Sequence, residues 1–337
     1  MAKANQQLVD LSRRHALGRM SLGVGAMALQ SMLPKDLQPS TSDGNGTMSL
    51  RHHAAKARRV IFLCMAGGPS HLETFDEKPT LTRLDGQPMP ESITNGMPIA
   101  QLQGKPLKCL GSRATFARHG QSGQVISSFL PHIGTLADDI AIVRSMVTDQ
   151  INHDPAHTFM NTGSIISGRP SMGSWVNYGL GSLNEDLPGF VVLTSSRGRS
   201  PQPIAARQWS SGFLPSRHSG VEFHAKGAAV HYVSNPAGIT RARQQDLVDT
   251  VNRLNGLRWN QVHDPEIASR IAQYELAARM QMSVPELMDV SSESPATLAM
   301  YGATPGDGSY ASNCLLARRL AERGVRFIQL YHRGWDH

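Results

Sequence analysis

The chain has 337 residues, with 33 Lys/Arg against 26 Asp/Glu and a formal charge of +7, enough for one large domain or two ordinary ones with an ample core. Nine of the basic residues and three of the acids fall in residues 1–59, so this stretch carries +6 and leaves +1 for the remainder; a basic surface for nucleic acid is excluded. Cys64, Cys109 and Cys314 are too few and too scattered for a disulfide framework or a zinc knuckle.

Residues 1–33 read as a leader. Arg13 and Arg14 precede a weakly apolar stretch from Met20 to Leu33, which is too short and too mild for a stable bilayer span. The Ser-Arg-Arg pattern before apolar residues resembles a twin-arginine export signal, implying passage through that machinery in folded form to the periplasm or cell surface. No clean Ala-x-Ala cleavage site is visible. Residues 34–57 are polar and rich in Ser, Gly and Pro, a linker by composition; His52 and His53 within it read as solvated. A single α/β domain is then expected over 58–337.

Val60 to Met65 is a continuous apolar run of strand length, as a strand buried on both faces of a parallel sheet would read, with Cys64 a small core residue. Gly67 and Gly68 suit a tight turn at the strand end; the stretch lacks the Lys and spacing of a P-loop. Glu77 to Gln124 reads as irregular. Phe129, Ile133 and Leu136 have helical spacing, and the run "IAIVRSM" from Ile140 reads as a second buried strand. The stretch "PAHTFMNTGSIISG" is expected to be a helix ending near Gly163 or Gly168. Gly189–Ser195 is the third strand, and residues 197–240 are loop-rich. Two helices follow, the second capped by Asp264 with Pro265 in its first turn. A last helix, a Gly stop at Gly324 and a fourth strand end the pattern. Strands alternating with helices predict a mainly parallel α/β sandwich, in which sites gather beyond the carboxyl ends of strands.

Polar clusters follow three of those strands. The first holds Ser70, His71, Glu73 and Asp76; the second Asp149, His153, Asp154 and His157; the fourth His332, Asp336 and His337. A lone Asp or His after a strand is ordinarily a cap or a loop hydrogen-bonder. Three such clusters at three strand ends point instead to a divalent metal, which takes carboxylate oxygens and imidazole nitrogens from several segments at once. The candidate ligands are Glu73, Asp76, His153, Asp336 and His337, with the metal (Zn, Ca, Mg or Mn) undetermined. Arg197 and Arg199 offer a clamp for an anionic ester, with His71 beside them as a substrate contact; a solvated basic loop is the equal alternative.

The segments "RRVIFLCMAGGPSHLETFDEKP", "GRPSMGSWVNYGLGSLNEDLPGFVVL" and "RFIQLYHRGWDH" closely resemble the bacterial family called domain of unknown function 1501, exported proteins allied to the alkaline phosphatase and sulfatase superfamily. That resemblance implies an alkaline-phosphatase-like sandwich whose family pattern continues past Trp335-Asp336-His337, so that the chain reads as an N-terminal portion with its C-terminal part missing. The sulfatase pattern opens on a Cys or Ser that becomes formylglycine. Aligning its end with Met160–Gly163 sets His153 at the nucleophile position and His157 at the arginine, and imidazole cannot become formylglycine. His153 is then a metal ligand or an acid/base group, with an inert cap neighbour as the second reading, and Thr158 is the nearest hydroxyl nucleophile. The implied activity is metal-assisted hydrolysis of phosphate or sulfate esters, with polysaccharide as one substrate class. The alternatives are a non-catalytic periplasmic or cell-surface binding protein on a hydrolase fold and an inactive fragment.

Overall fold

The computed structural model describes residues 55–96, 104–195, 202–224, 226–227, 229–230, 235 and 238–335. The leader, most of the linker, Arg197, Arg199, Asp336 and His337 lie outside the described residues.

The strands and longer helices run in chain order. β1 is Val60–Met65, β2 Phe116–His119, β3 Gln124–Ser127, α1 His153–Thr162, α2 Met172–Leu180, β4 Phe190–Thr194 and β5 Val221–Phe223. They are followed by α3 (Arg241–Val262), α4 (Pro265–Met288), α5 (Pro295–Tyr301), α6 (Tyr310–Glu322) and β6 (Phe327–His332). β1, β6, β4 and β5 form one sheet in that order, with every pairing parallel. β2 and β3 form a separate antiparallel hairpin.

Strand periodicity sorts the core into two faces. Val191, Leu193, Ile328 and Leu330 pack with Met280, Val284 and Leu287 of α4 and with Leu316 and Leu320 of α6. Phe190, Val192, Phe327 and Tyr331 pack on the other face with Trp209, and Val176 of α2 joins them. Phe190 and Phe327 meet edge to face at 5.3 Å, the arrangement that ring quadrupoles favour. Fully burying each such side chain contributes roughly 1.5–3 kcal/mol. The sheet therefore carries helices on both sides, as the alternating pattern predicts.

Two buried arginines precede β6, Arg319 in the last turn of α6 and Arg326 next to the strand, and both close helix ends. Arg319 donates Nε to the Leu287 carbonyl at 2.8 Å, and its Nη2 donates to the carbonyls of Glu286 and Asp289. Arg326 donates Nε to the Gly181 carbonyl at 2.7 Å and Nη2 to Leu180 at 3.1 Å. Those are orphan carbonyls at the C-terminal ends of α4 and α2, which have no intrahelical partner. Side chains at either end of the α6–β6 connection thus anchor neighbouring helices to the central strand.

Three expectations need correction. β1 forms over the expected residues but is not buried on both faces: Val60, Ile61 and Leu63 are 40%, 44% and 51% exposed. Among the described residues β1 is a sheet edge paired only with β6, and no layer covers its outer part. The run from Ile140 to Met146 is not a strand. Its Val143 and Met146 are 62% and 70% exposed, because an apolar run becomes a strand only when a neighbour accepts its backbone bonds. The Glu77–Gln124 stretch is not wholly irregular. It holds short helices at Pro79–Arg83 and Glu91–Thr94 and the β2–β3 hairpin, whose turn is clamped by Asp138 accepting from the backbone N–H groups of Gln121 and Ser122.

Candidate functional site

The carboxyl ends of β1, β6 and β4 lie side by side, with Met65 opposite His332 and Thr194 opposite Tyr331. The ladder continues one step further on each side. Ala66 N–H donates to the His332 carbonyl at 2.8 Å, and Ser195 N–H donates to the Tyr331 carbonyl at 3.0 Å. The chain then turns back, with Trp335 N–H donating to the Ala66 carbonyl at 3.1 Å. After β1, Gly67 and Gly68 adopt positive φ values of 111° and 74°, backbone that glycine reaches without a Cβ penalty, so the expected tight turn is present.

His332 sits at the centre of this end. Its Nδ1 lies 2.7 Å from Ser195 Oγ, and that hydroxyl also lies 3.2 Å from the Tyr331 carbonyl. A hydroxyl has one proton, so with that proton on the carbonyl it accepts from His332 Nδ1–H. In that arrangement the imidazole is the Nδ1–H tautomer with the lone pair on Nε2, which has no partner among the described residues; in the other, Ser195 donates to Nδ1 and Nε2 carries the proton. The ring packs on Tyr310 of α6 at 4.8 Å and against Trp335 at 5.9 Å. Burial lowers the His332 pKa and keeps the ring neutral. Burial also raises Tyr310 beyond the usual phenol range and pushes Cys64 up to about 11, so neither supplies an anion near neutrality. Nearby, Arg333 Nε and Trp335 Nε1 are buried without a partner among the described residues.

The helix that carries much of the second polar cluster is α1, which begins at His153, two residues before the expected stretch, and stops at Gly163 in left-handed conformation, one of the two expected ends. It is fixed to β6 by a buried amide network. Gln329 Nε2 donates to Asn161 Oδ1 and, at 2.8 Å, to Tyr331 Oη, while Tyr331 Oη lies 3.1 Å from Asn161 Oδ1. Asn161 Nδ2 in turn donates to the His157 carbonyl at 2.7 Å. His153 and His157 stack at 6.3 Å with rings tilted. Burial pulls the His157 pKa down, opposed by the Pro203 backbone and helped by His153; its Nδ1 is buried with no partner among the described residues. Asp154 pairs with Arg207. Thr158 is buried and donates its hydroxyl to the Asp154 carbonyl at 3.0 Å, so that proton is already committed.

The cluster after β1 is spread over a short helix, His71–Thr74. Glu73 Oε2 accepts from Ser112 Oγ at 2.8 Å, Arg113 N at 3.0 Å and Ala114 N at 3.3 Å, an anchor for the loop before β2. Asp76 pairs with Lys78 at 2.6 Å. That hydrogen bond, with the charges of Lys78, His71 and Arg144, lowers its carboxyl pKa. Among the described residues no group of three His, Cys, Asp or Glu gathers as a metal would require. Ser195 escaped the sequence reading: it is the last residue of an apolar strand run, and only the β6–β4 adjacency gives it a histidine. No described helix is long and apolar enough to cross a membrane.

Comparison with the curated proteins and with the solved structures gives no match. Residues 57–337 match the family model described as a protein of unknown function, DUF1501, and the chain belongs to that family.

Proposed function

We propose that the chain is an exported, sulfatase-like hydrolase of phosphate or sulfate esters that works without formylglycine and with a divalent metal at the carboxyl end of β6. The observation that carries this reading is the Ser195–His332 hydrogen bond of 2.7 Å, which, with the serine proton on the Tyr331 carbonyl, leaves a neutral imidazole Nε2 lone pair free a few residues before Asp336 and His337. A ligating histidine characteristically has its other nitrogen fixed in this way, and the donor set of imidazole and carboxylate suits zinc or manganese. When bound, the cation would polarise the ester oxygen and stabilise the charge that develops on it. His332 offers its lone pair, Ser195 holds the ring, and water is the nucleophile, since the hydroxyls of Ser195 and Thr158 are buried and bonded to the main chain. His153 and His157 are the acid/base candidates on α1. Glu73 and Asp76, engaged with Ser112 and Lys78, support the loops around the site. Arg197 and Arg199 remain candidates for binding the anionic ester.

The buried state of both hydroxyls also supports a second reading, a non-catalytic periplasmic or cell-surface binding protein on a hydrolase fold. The metal-stripped 337-residue chain, reconstituted with Zn, Mn, Mg or Ca, is assayed with 4-nitrophenyl phosphate and 4-nitrophenyl sulfate. Metal-dependent turnover abolished in His332→Ala supports hydrolysis; tight metal binding without turnover supports the binding protein; neither metal binding nor turnover overturns both. For export, replacing Arg13 and Arg14 by Lys should retain a tagged chain in the cytoplasm on cell fractionation, and unchanged export of that variant rules out the twin-arginine route.

A further inference from the structure

At the opposite end of the sheet lies a cavity of about 740 Å³, within the size range of small-molecule sites. It sits where the loop after α2 turns into the amino end of β4, and α4 closes it from the side. Its wall includes Asn177, Arg217, His218, Leu187, Leu276 and Arg279. Two of these polar side chains are more than nine-tenths buried: Asn177 at 7% exposure and His218 at 6%. His218 Nε2 accepts from Arg217 Nε at 3.2 Å, which puts the ring proton on Nδ1, and that nitrogen is buried without a partner among the described residues. The Asn177 amide makes no side-chain hydrogen bond either. Gly189 makes room for it, since a Cβ there would stand 2.4 Å from Asn177 Oδ1.

The unbonded Asn177 amide and two guanidinium groups on one cavity wall offer an anion several hydrogen-bond donors. Arg279 is already tied to the Glu185 carbonyl at 2.8 Å and lies 3.9 Å from Asp186. Arg217 keeps its terminal nitrogens for a ligand. Leu187 and Leu276 give the cavity an apolar wall. We infer that this cavity is a second binding site, separate from the His332 end of the sheet, for a small organic anion with an apolar body, its acidic group held by Arg217 and Asn177. The site does not depend on the proposed hydrolysis.

Isothermal titration of the full chain with 2-naphthoate, using uncharged 2-naphthol as control, tests this. Naphthoate should bind, naphthol should bind at least about tenfold more weakly, and Arg217→Gln should weaken naphthoate by about tenfold or more, as loss of a charge-assisted hydrogen bond implies. Arg217 is exposed, so this variant keeps the fold; Asn177→Leu is the second variant, checked by circular dichroism. Equal binding of acid and alcohol, unchanged affinity in both variants, or no binding of naphthoate overturns the inference. His332→Ala should leave naphthoate binding intact, which keeps this result separate from the fate of the hydrolase reading.

Discussion

Ser195 Oγ and His332 Nδ1 stand 2.7 Å apart across the β4–β6 pair. With its proton on the Tyr331 carbonyl the hydroxyl accepts from the ring, and in that arrangement one buried serine sets the tautomer of the histidine beside it. Ser195→Ala removes that acceptor. The expected outcome is a loss of about 1 kcal/mol in stability, the net worth of one hydrogen bond. A second expectation is a mixed tautomer population, read from the ring ¹⁵N shifts of His332. An unchanged pure Nδ1–H tautomer contradicts the assignment.

Arg319 is a structural counterpart of that pair on the other face. Its guanidinium is 6% exposed, lies 2.7 Å from Glu293, and donates to three carbonyls at the end of α4. Arg319→Met strands those buried carbonyls and leaves Glu293 paired with Arg318 alone, and a cost of about 2–4 kcal/mol is expected, chiefly from acceptors left without a donor. Urea unfolding measures it; a loss below about 1 kcal/mol, the range of exposed ion pairs, contradicts the assigned role.

His218 gives a pH signature. Burial first, and the charge of Arg217 second, lower its pKa to about 4, whereas the unfolded chain titrates near about 6.5. Between those values the unfolded state takes up a proton that the folded state refuses, so stability rises with pH through this window and is fully present above it. Compared with His218→Gln, the parent chain should lose stability on acidification from pH 6.5 to 4. Parallel profiles of urea midpoint against pH for the two chains contradict this.

The sequence made the centre of the sheet legible and its edges much less so. β4, α6 and β6 were readable because their apolar runs are flanked by real punctuation, Gly189 and Gly324, and because both of their faces are covered. α4 was marked by Asp264, whose carboxylate does accept from Glu266 N–H at 3.0 Å. β1 and the run at Ile140–Met146 carry the same pattern of continuous apolar residues. One became an edge strand and the other no strand, since pairing depends on neighbours that a local pattern does not encode. The site divides in the same way. His153, His157 and Glu73 could be found by residue type, but the loop contacts that occupy Glu73 come from residues 112–114. The strand order β1-β6-β4-β5 that joins Ser195 to His332 has no local signature.

The open edge of β1 has its own consequence. Among the described residues the outer backbone groups of β1, beside exposed Ile61 and Leu63, have no strand partner and form a template for pairing between chains. Leu63→Lys is expected to reduce self-association in sedimentation velocity while changing stability by no more than about 0.5 kcal/mol, as for other surface substitutions. Undiminished association in this variant would falsify the role given to the edge.

A metal held at the end of β6 is tested most directly by a Co²⁺ titration of the metal-stripped 337-residue chain, followed by visible absorption, on the parent protein, Ser195→Ala and His332→Ala. One saturating Co²⁺ per chain with ligand-field bands is expected, weakened by about 10- to 100-fold when the orienting serine is removed, and abolished in His332→Ala with the fold retained. Unchanged binding in His332→Ala, or no ligand-field band in the parent chain, contradicts a metal held at the end of β6.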